Sequence, residues 1–412
     1  MSPVRNLNNM LPKNKSEKSN SDIETNISNG VRLKEKFKKG FTPLEVRRQR
    51  RPPLPQGKGL LTGFTTGTCA QAAAKAASIM LFTKRLVKNV EVETPKGVKL
   101  NIKIVGQKIG GDFAQCGVIK DAGDDPDVTN GVRICARVQY SEKKGICLRG
   151  GEGVGIVTKP GLAVRVGEYA INPTPREMII KEVTAHLSKE KGIEVIINVP
   201  EGKEIAKRTF NPRLGIVGGI SIIGTTGIVE PKSTDAYKLS LSLQLDVLKA
   251  AGYKKAALVL GYVGEKFCRD ALKLKLDSIV KIGDHVGFML SECVKKKIKK
   301  AFLIGHIGKL VKVANGQLDT NIRFGDYRIK TIMHYAKLCG AKKEIIEEIS
   351  RQISAEATID ILTKHDLTLV FDMIAKKTVD MINGFVNNQL SVDCILLSLQ
   401  GEVLSAYPKK VY

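Results

Sequence analysis

Residues 256–309 read AALVLGYVGEKFCRDALKLKLDSIVKIGDHVGFMLSECVKKKIKKAFLIGHIGK, and the rhythm of this stretch decides the fold class. Apolar runs at 256–261, 278–282 and 301–305 are short, with Lys281 the one charged residue among them, and helical spacing separates them at 264–274 and 285–297. A run without alternation suits a strand buried on both faces, as in a parallel sheet covered by helices. Runs of that kind alternating with helices predict βαβ units. Upstream, 218–223 reads as another such strand and 235–251 as the helix after it. Downstream, 325–388 is helical in pattern and 392–399 returns as a final strand.

The residues before 215 follow a different pattern. An Ala-rich helix starts after Thr65 and Thr66, whose hydroxyls suit a helix cap. Strand-like runs follow at 88–93, 98–105, 134–140 and 194–199, and a second helix is predicted from Thr174, with proline in its first turn and Glu177 three residues after the threonine. The whole chain, at 412 residues, is long for one hydrophobic core. The expectation is two domains: an N-terminal α+β domain at 59–214 and a C-terminal Rossmann-like α/β domain at 215–412 with a mostly parallel sheet. Residues 1–58, rich in Asn, Ser, Lys and Pro, read as a disordered basic extension.

The formal net charge is +26; residues 1–58 hold 14 Lys and Arg against 5 Asp and Glu, which leaves +17 for the rest. A folded region this basic favours an anionic partner. Nucleic acid is not expected, because aromatics are 5%, Trp is absent and no basic motif is interleaved with aromatics. No apolar stretch approaches the ~20 residues of a membrane span, and no signal peptide precedes the fold, so a cytoplasmic protein is expected. The eight cysteines form no CxxC pair and keep no ligand spacing to the five histidines, which predicts free thiols and no protein metal site.

Four segments carry candidate chemistry. The first, GFTTGTCA at 63–70, opens the Ala-rich helix; its glycines and free amides could receive an anion, and a capped helix without ligand fits equally well. The second, DAGDDPDVTNG at 121–131, crowds four carboxylates, which could raise the pKa of one of them for proton transfer, although a solvated turn is the simpler reading. The third, GGEGVG at 150–155, lacks the third glycine of a dinucleotide fingerprint and by itself is a flexible turn; nearby Arg176 could clamp a carboxylate. The fourth, GGISIIGTTGIVEP at 218–231, has a Gly/Thr turn where α/β sheets place ligands, and strand ends at 261–265, 283–284 and 305–309 should share its edge. There Glu265 or Asp284 could hold ribose hydroxyls, and His306 with Lys309 could face an anion.

Taken in order, GFTTGTCAQAAAKAA (63–77), DAGDDPDVTNG (121–131), KPGLAVRVGEYAINPTPREMI (159–179), GGISIIGTTGIVEPKS (218–233) and IGHIGKLVKVANG (304–316) resemble the cobalt-precorrin-5B C1-methyltransferase (CbiD) family. Two positions depart from the family pattern, Lys232 and Asn321. The resemblance implies methyl transfer from S-adenosylmethionine to carbon 1 of cobalt-precorrin-5B, with cobalt entering only within the substrate. On that reading we expect the donor at Gly218, Gly219, Thr225, Thr226, Gly227, Glu265 and Asp284, and the anionic corrinoid near Thr65, Thr66, Arg176, His306 and Lys309. Asp124 or Asp125 would take any proton. Homo-oligomerisation stays open. A phosphotransferase and an RNA-binding module are the competing readings; the first lacks the Walker lysine and neither accounts for five ordered motifs.

Overall fold

The computed structural model describes residues 60–185, 192–231 and 233–409. The expected extension at 1–58 and the departure at Lys232 lie outside the described residues. Of the described residues, those from 60 to 240 belong to one compact unit and those from 241 onward to a second. The division therefore falls about 25 residues after the expected boundary at 214/215, and the segment 215–240 belongs to the first unit.

In the first unit β1 (Gly63–Phe64) leads into α1 (Thr66–Thr83). The Thr65 side chain accepts a hydrogen bond from the Thr68 amide at 3.2 Å, as the cap expectation required. Uncharged except at Lys75, α1 buries nearly its whole circumference, and its small side chains let β-strands and a second helix approach closely. A hairpin, β2 (Asn89–Glu93) and β3 (Lys99–Lys103), precedes β4 (Val105–Ile109), β5 (Phe113–Ile119), β6 (Arg133–Ser141) and β7 (Ile146–Gly150). After the short β8 (Ile156–Val157) come α2 (Pro173–Thr184) and β9 (Gly192–Asn198). The sheet order is β4-β5-β6-β9-β7, antiparallel except for the β9–β7 pair. Along β6, Ile134, Ala136 and Val138 are buried in the core that includes α1, while Arg133, Cys135 and Arg137 alternate onto the other face. The strands β5 and β7 had no counterpart in the expected set, and the expected run 98–105 is broken at Ile104 into two strands. α2 begins at Pro173 with Asn172 in the cap position and no side-chain cap bond, so Thr174 lies inside the helix and is not its cap.

The rest of the first unit comprises α3 (Gly202–Ala206), α4 (Asn211–Leu214), β10 (Ile216–Val217), β11 (Ile228–Val229) and the start of α5 (Thr234–Ala250). β10 pairs with β8 and β11 with β1. Residues 218–223 therefore do not join the parallel sheet. Instead, Ile220 and Ile222 form isolated bridges to Val154 and Ile171, and both side chains are fully buried. An apolar run bounded by glycines matches a core strand by composition; only its partners reveal which core it enters.

The second unit contains β12 (Lys255–Leu260), α6 (Gly261–Asp270), β13 (Ile279–Lys281), α7 (Val286–Lys295), β14 (Lys300–His306) and α8 (Ile307–Ala314). Four helices follow: α9 (Arg328–Leu338), α10 (Lys343–Ser350), α11 (Ala357–Lys364) and α12 (Leu369–Phe385). The chain then returns as β15 (Ser391–Leu397) and turns back as β16 (Val403–Tyr407). The order is β13-β12-β14-β15-β16, parallel through β15 and antiparallel at β16. The fold is thus mixed α/β with two five-stranded sheets, the second mostly parallel. β16 is a last strand that the sequence reading ended too early to include.

Candidate functional site

The four glycine- and carboxylate-rich segments of the first unit fold against one another. Thr65 N–H donates to Gly227 O at 3.0 Å, Gly67 N–H to Ile223 O at 2.9 Å and the Thr68 hydroxyl to Gly227 O at 2.7 Å. The Thr66 hydroxyl accepts from Ile223 N–H at 2.9 Å and lies 3.2 Å from the Ser221 and Ile223 carbonyls. The 221–227 segment consequently occupies the amino end of α1, and Thr65 and Thr66 are buried with hydroxyls engaged inside the protein. Gly224 makes the approach possible. Its φ is +138°, and a Cβ there would stand 2.2 Å from Thr65 Oγ1.

Two further segments close around the same place. Phe64 N–H donates to Asp121 O at 2.9 Å, and Leu61 exchanges two bonds with Asp124, the Leu61 amide donating to the Asp124 carboxylate at 2.8 Å. The 150–155 segment is packed, not flexible: Gly153 has φ +68°, and a Cβ on it would fall 1.8 Å from Val199 O. Within the acidic loop, Asp127 accepts from buried Lys120 at 2.7 Å and from the Thr129 amide and hydroxyl. Burial pushes the Asp127 carboxyl up, but Lys120 and the Thr129 bonds outweigh it and hold the group below the ordinary aspartate range. The crowding was expected to raise a carboxyl; at Asp127 the outcome is the reverse. Arg176, half-buried in the first turns of α2, reaches the Leu148 carbonyl only at 3.5 Å.

In the second unit the chain order of the sheet reverses direction within the parallel strands. β12 continues to β13 on one side, and β14 lies on the other, so the carboxyl end of β12 is where the winding reverses. Such a reversal is where open α/β sheets take their ligands. Gly261 sits there with φ +81° and open space where a Cβ would point. Lys309 Nζ meets Asp284 Oδ1 at 2.5 Å, and the Thr320 hydroxyl meets the same oxygen at 2.8 Å. Burial acts to raise the Asp284 carboxyl, yet Lys309 and Thr320 leave it below its ordinary value. Asn321 Nδ2 stands 3.4 Å from Asp284 Oδ2, and buried Lys312 donates to Thr320 O at 3.2 Å. Burial lowers the Lys312 ammonium below the usual lysine range.

His306 caps α8. Its Nδ1 accepts from Gly308 N–H at 3.1 Å, so the proton resides on Nε2, which donates to Glu356 at 2.8 Å; the other Glu356 oxygen accepts from Leu399 N–H. Both ring nitrogens are therefore engaged within the unit. Glu265 is buried on α6, 3.4 Å from Lys281 Nζ.

The profile of the family CbiD matches residues 54–231, and that of the CbiD C-terminal domain matches 319–408. A protein of Thermoanaerobacter sp. (strain X514) is 41% identical over 87% of this chain and 98% of its own length. Its name is cobalt-precorrin-5B C(1)-methyltransferase. Proteins of the same name from Clostridium perfringens and Methanocaldococcus jannaschii are each 42% identical, over 86% and 84% of this chain and 96% of theirs. The chain belongs to the CbiD family. A crystal structure titled cobalamin biosynthesis protein (cbiD), from Archaeoglobus fulgidus, aligns at 29% identity over 66% of this chain and 86% of that one, with a TM-score of 0.36.

In this CbiD chain the expected residues gather in two groups. Thr65, Thr66 and the turn from Gly218 to Gly227 meet in the first unit; Asp284 and Lys309 meet in the second, with His306 one turn before Lys309. The expected donor set is thus split between units, since Glu265 and Asp284 belong to the second and Gly218, Gly219, Thr225, Thr226 and Gly227 to the first. Thr320, Lys312 and Glu356 were missed. Lys312 lies inside the motif at 304–316 and Thr320 beside Asn321, yet neither residue type in that pattern points to a role, and Glu356 lies in a turn that carries no motif. Among the described residues no group of His, Cys, Asp or Glu is placed to hold a metal ion, and no helix is long and apolar enough to cross a membrane.

Proposed function

We propose that this chain is an S-adenosylmethionine-dependent enzyme that methylates carbon 1 of cobalt-precorrin-5B to give cobalt-precorrin-6A in anaerobic cobalamin biosynthesis, acting in the cytoplasm. The observation that carries this reading is near end-to-end similarity to proteins named for that methyl transfer. Their length is covered almost entirely, so both units are shared with them.

The second unit, read as Rossmann-like, is our choice for the methyl donor. Gly261 leaves room at the sheet reversal, and Asp284 follows about twenty residues later at the end of the neighbouring strand, where such folds keep an acid for ribose hydroxyls. Bound S-adenosylmethionine supplies an electrophilic methyl on a sulfonium, which an electron pair of the ring carbon displaces as the C–S electrons pass to sulfur. The protein's part is to hold the reacting atoms in line, where roughly 7 to 11 kcal/mol of barrier can come from orientation. Lys309 stabilises Asp284 as the carboxylate, and His306, with its tautomer set by Glu356, fixes the start of α8. In the first unit Arg176 is proposed to meet a substrate carboxylate, and Thr65 and Thr66 to hold the 221–227 turn. Asp124 and Asp125 are the carboxylates proposed for proton transfer; Asp124 also anchors Leu61.

Titration of the full-length protein with S-adenosylhomocysteine tests the assignment. Micromolar binding that weakens about tenfold in Asp284→Asn, and stays intact when Thr225 and Thr226 are both changed to alanine, is expected. The opposite pattern moves the donor to the first unit. Binding of ATP or RNA in place of S-adenosylhomocysteine removes the methyltransferase reading.

A further inference from the structure

The outer face of the first sheet holds a cavity of about 270 Å³ bounded by Val105, Gln115, Arg133, Cys135, Arg137 and Asn198, among others. It opens beside the register shift between β4 and β5, where Gly106 takes φ +60°. Arg133 and Arg137 project from the same face of β6, four residues apart on one strand. Arg137 is held in place: its Nε donates to Gln139 at 2.8 Å and its guanidinium lies 3.8 Å over the Phe113 ring. Neither arginine has an ion-pair partner among the described residues, although elsewhere on this face Arg149 is paired with Glu194. A stacked, oriented guanidinium with its terminal nitrogens uncommitted is a preformed fork for a carboxylate. It lies beside a second arginine without an ion-pair partner, on the wall of the same cavity.

We propose that this cavity binds carboxylate groups of a polycarboxylate ligand, and, resting on the function proposed above, that the ligand is the free-acid side chains of the corrinoid. The chemistry is recognition and not reaction. Cys135, which lies between the two arginines on β6, is held protonated: burial raises its pKa and Arg133 only partly offsets the rise.

The test uses the full-length protein and two corrinoid probes, one with free carboxylates (cobyrinic acid) and one amidated (hydroxocobalamin). Isothermal titration should give a Kd for the free-acid probe at least about tenfold lower than for the amidated one, weakening as salt rises. The folded variant Arg133→Gln/Arg137→Gln should lose that preference by about tenfold while its S-adenosylhomocysteine affinity stays unchanged. Bound probe should also slow alkylation of Cys135 by a neutral maleimide, read by peptide mass, and leave exposed Cys147 unaffected. Equal affinity of wild type and double variant for the free-acid probe overturns the proposal, as does a Cys135 that neither the free-acid corrinoid nor citrate protects. If citrate protects Cys135 and the corrinoid does not, the carboxylate site stands and the corrinoid as its ligand is lost, whatever the outcome with S-adenosylhomocysteine.

Discussion

Lys309 Nζ lies 2.5 Å from Asp284 Oδ1, so the ion pair links the loop after β13 to the helix after β14 across the carboxyl end of β12, the strand between them. This pair holds the Asp284 carboxyl below its ordinary pKa and fixes it at the sheet reversal. Its folded-state pKa is depressed, so the stability it contributes is present above the unfolded aspartate pKa of about 3.9 and is lost as pH falls through the folded value. Both side chains are partly exposed, which limits the contribution to about 1 kcal/mol. Urea unfolding of wild type and Asp284→Asn should differ at pH 6, and the gap should narrow as the pH falls below about 3.9. A gap that widens on acidification would reverse the assigned sign.

Gly224→Ala should cost about 2 to 4 kcal/mol, because it combines a positive φ with a clash against Thr65 at the start of α1. Gly401→Ala, which has φ +86° and open space around the site, isolates the backbone contribution at about 1 to 2 kcal/mol. Thermal unfolding of the two variants measures the difference. Equal losses would mean that the segment moves aside without cost.

Thr66→Val keeps the side-chain shape and removes the oxygen that accepts the Ile223 amide. The expected loss is about 1 to 3 kcal/mol. Hydrogen exchange adds a local readout: the Ile223 amide should exchange faster in the variant, whereas the core of β6 should not change.

Lys120→Met strands the Asp127 carboxylate beside an apolar side chain, since Lys120 is 2% exposed and Asp127 is its salt-bridge partner. A loss of about 3 kcal/mol is expected at pH 7, shrinking as acid protonates Asp127. Chemical denaturation at pH 7 and pH 4 reads both. A loss that is the same at both values would show that packing around Lys120, and not its charge, sets the cost.

The βαβ alternation after 255 was legible because strands buried on both faces leave short, mainly apolar runs, broken only by Lys281 in β13 and Asp393 in β15, and β12, β13, β14 and β15 all lie where those runs predict. Strands with polar exposed faces gave weaker signals. β5, reading FAQCGVI, is interrupted by Gln115 and Gly117 on its outward face, and β7 is only five residues long. The segment 218–223 had the composition of a core strand and was assigned to the wrong core, since period and hydrophobicity describe a strand's surroundings and say nothing of its partners.

By itself the sequence determined the family, the Ala-rich helix with its threonine cap, the parallel part of the second sheet and the basic character that favours an anionic ligand. The family was legible through the resemblance of five motifs met in order; the helix, the parallel strands and the charge follow from local spacing and composition, which act along the chain. Tertiary structure alone decided that the 221–227 turn closes over the start of α1, that Asp284 is paired with Lys309 and Thr320, that His306 is held by Glu356 and that Arg133 and Arg137 share a cavity. Each of those joins groups by hydrogen bonds or shared faces set by strand order and register. Those relations come into being only when the backbone is folded and its polar groups, denied water, take partners from distant positions in the chain.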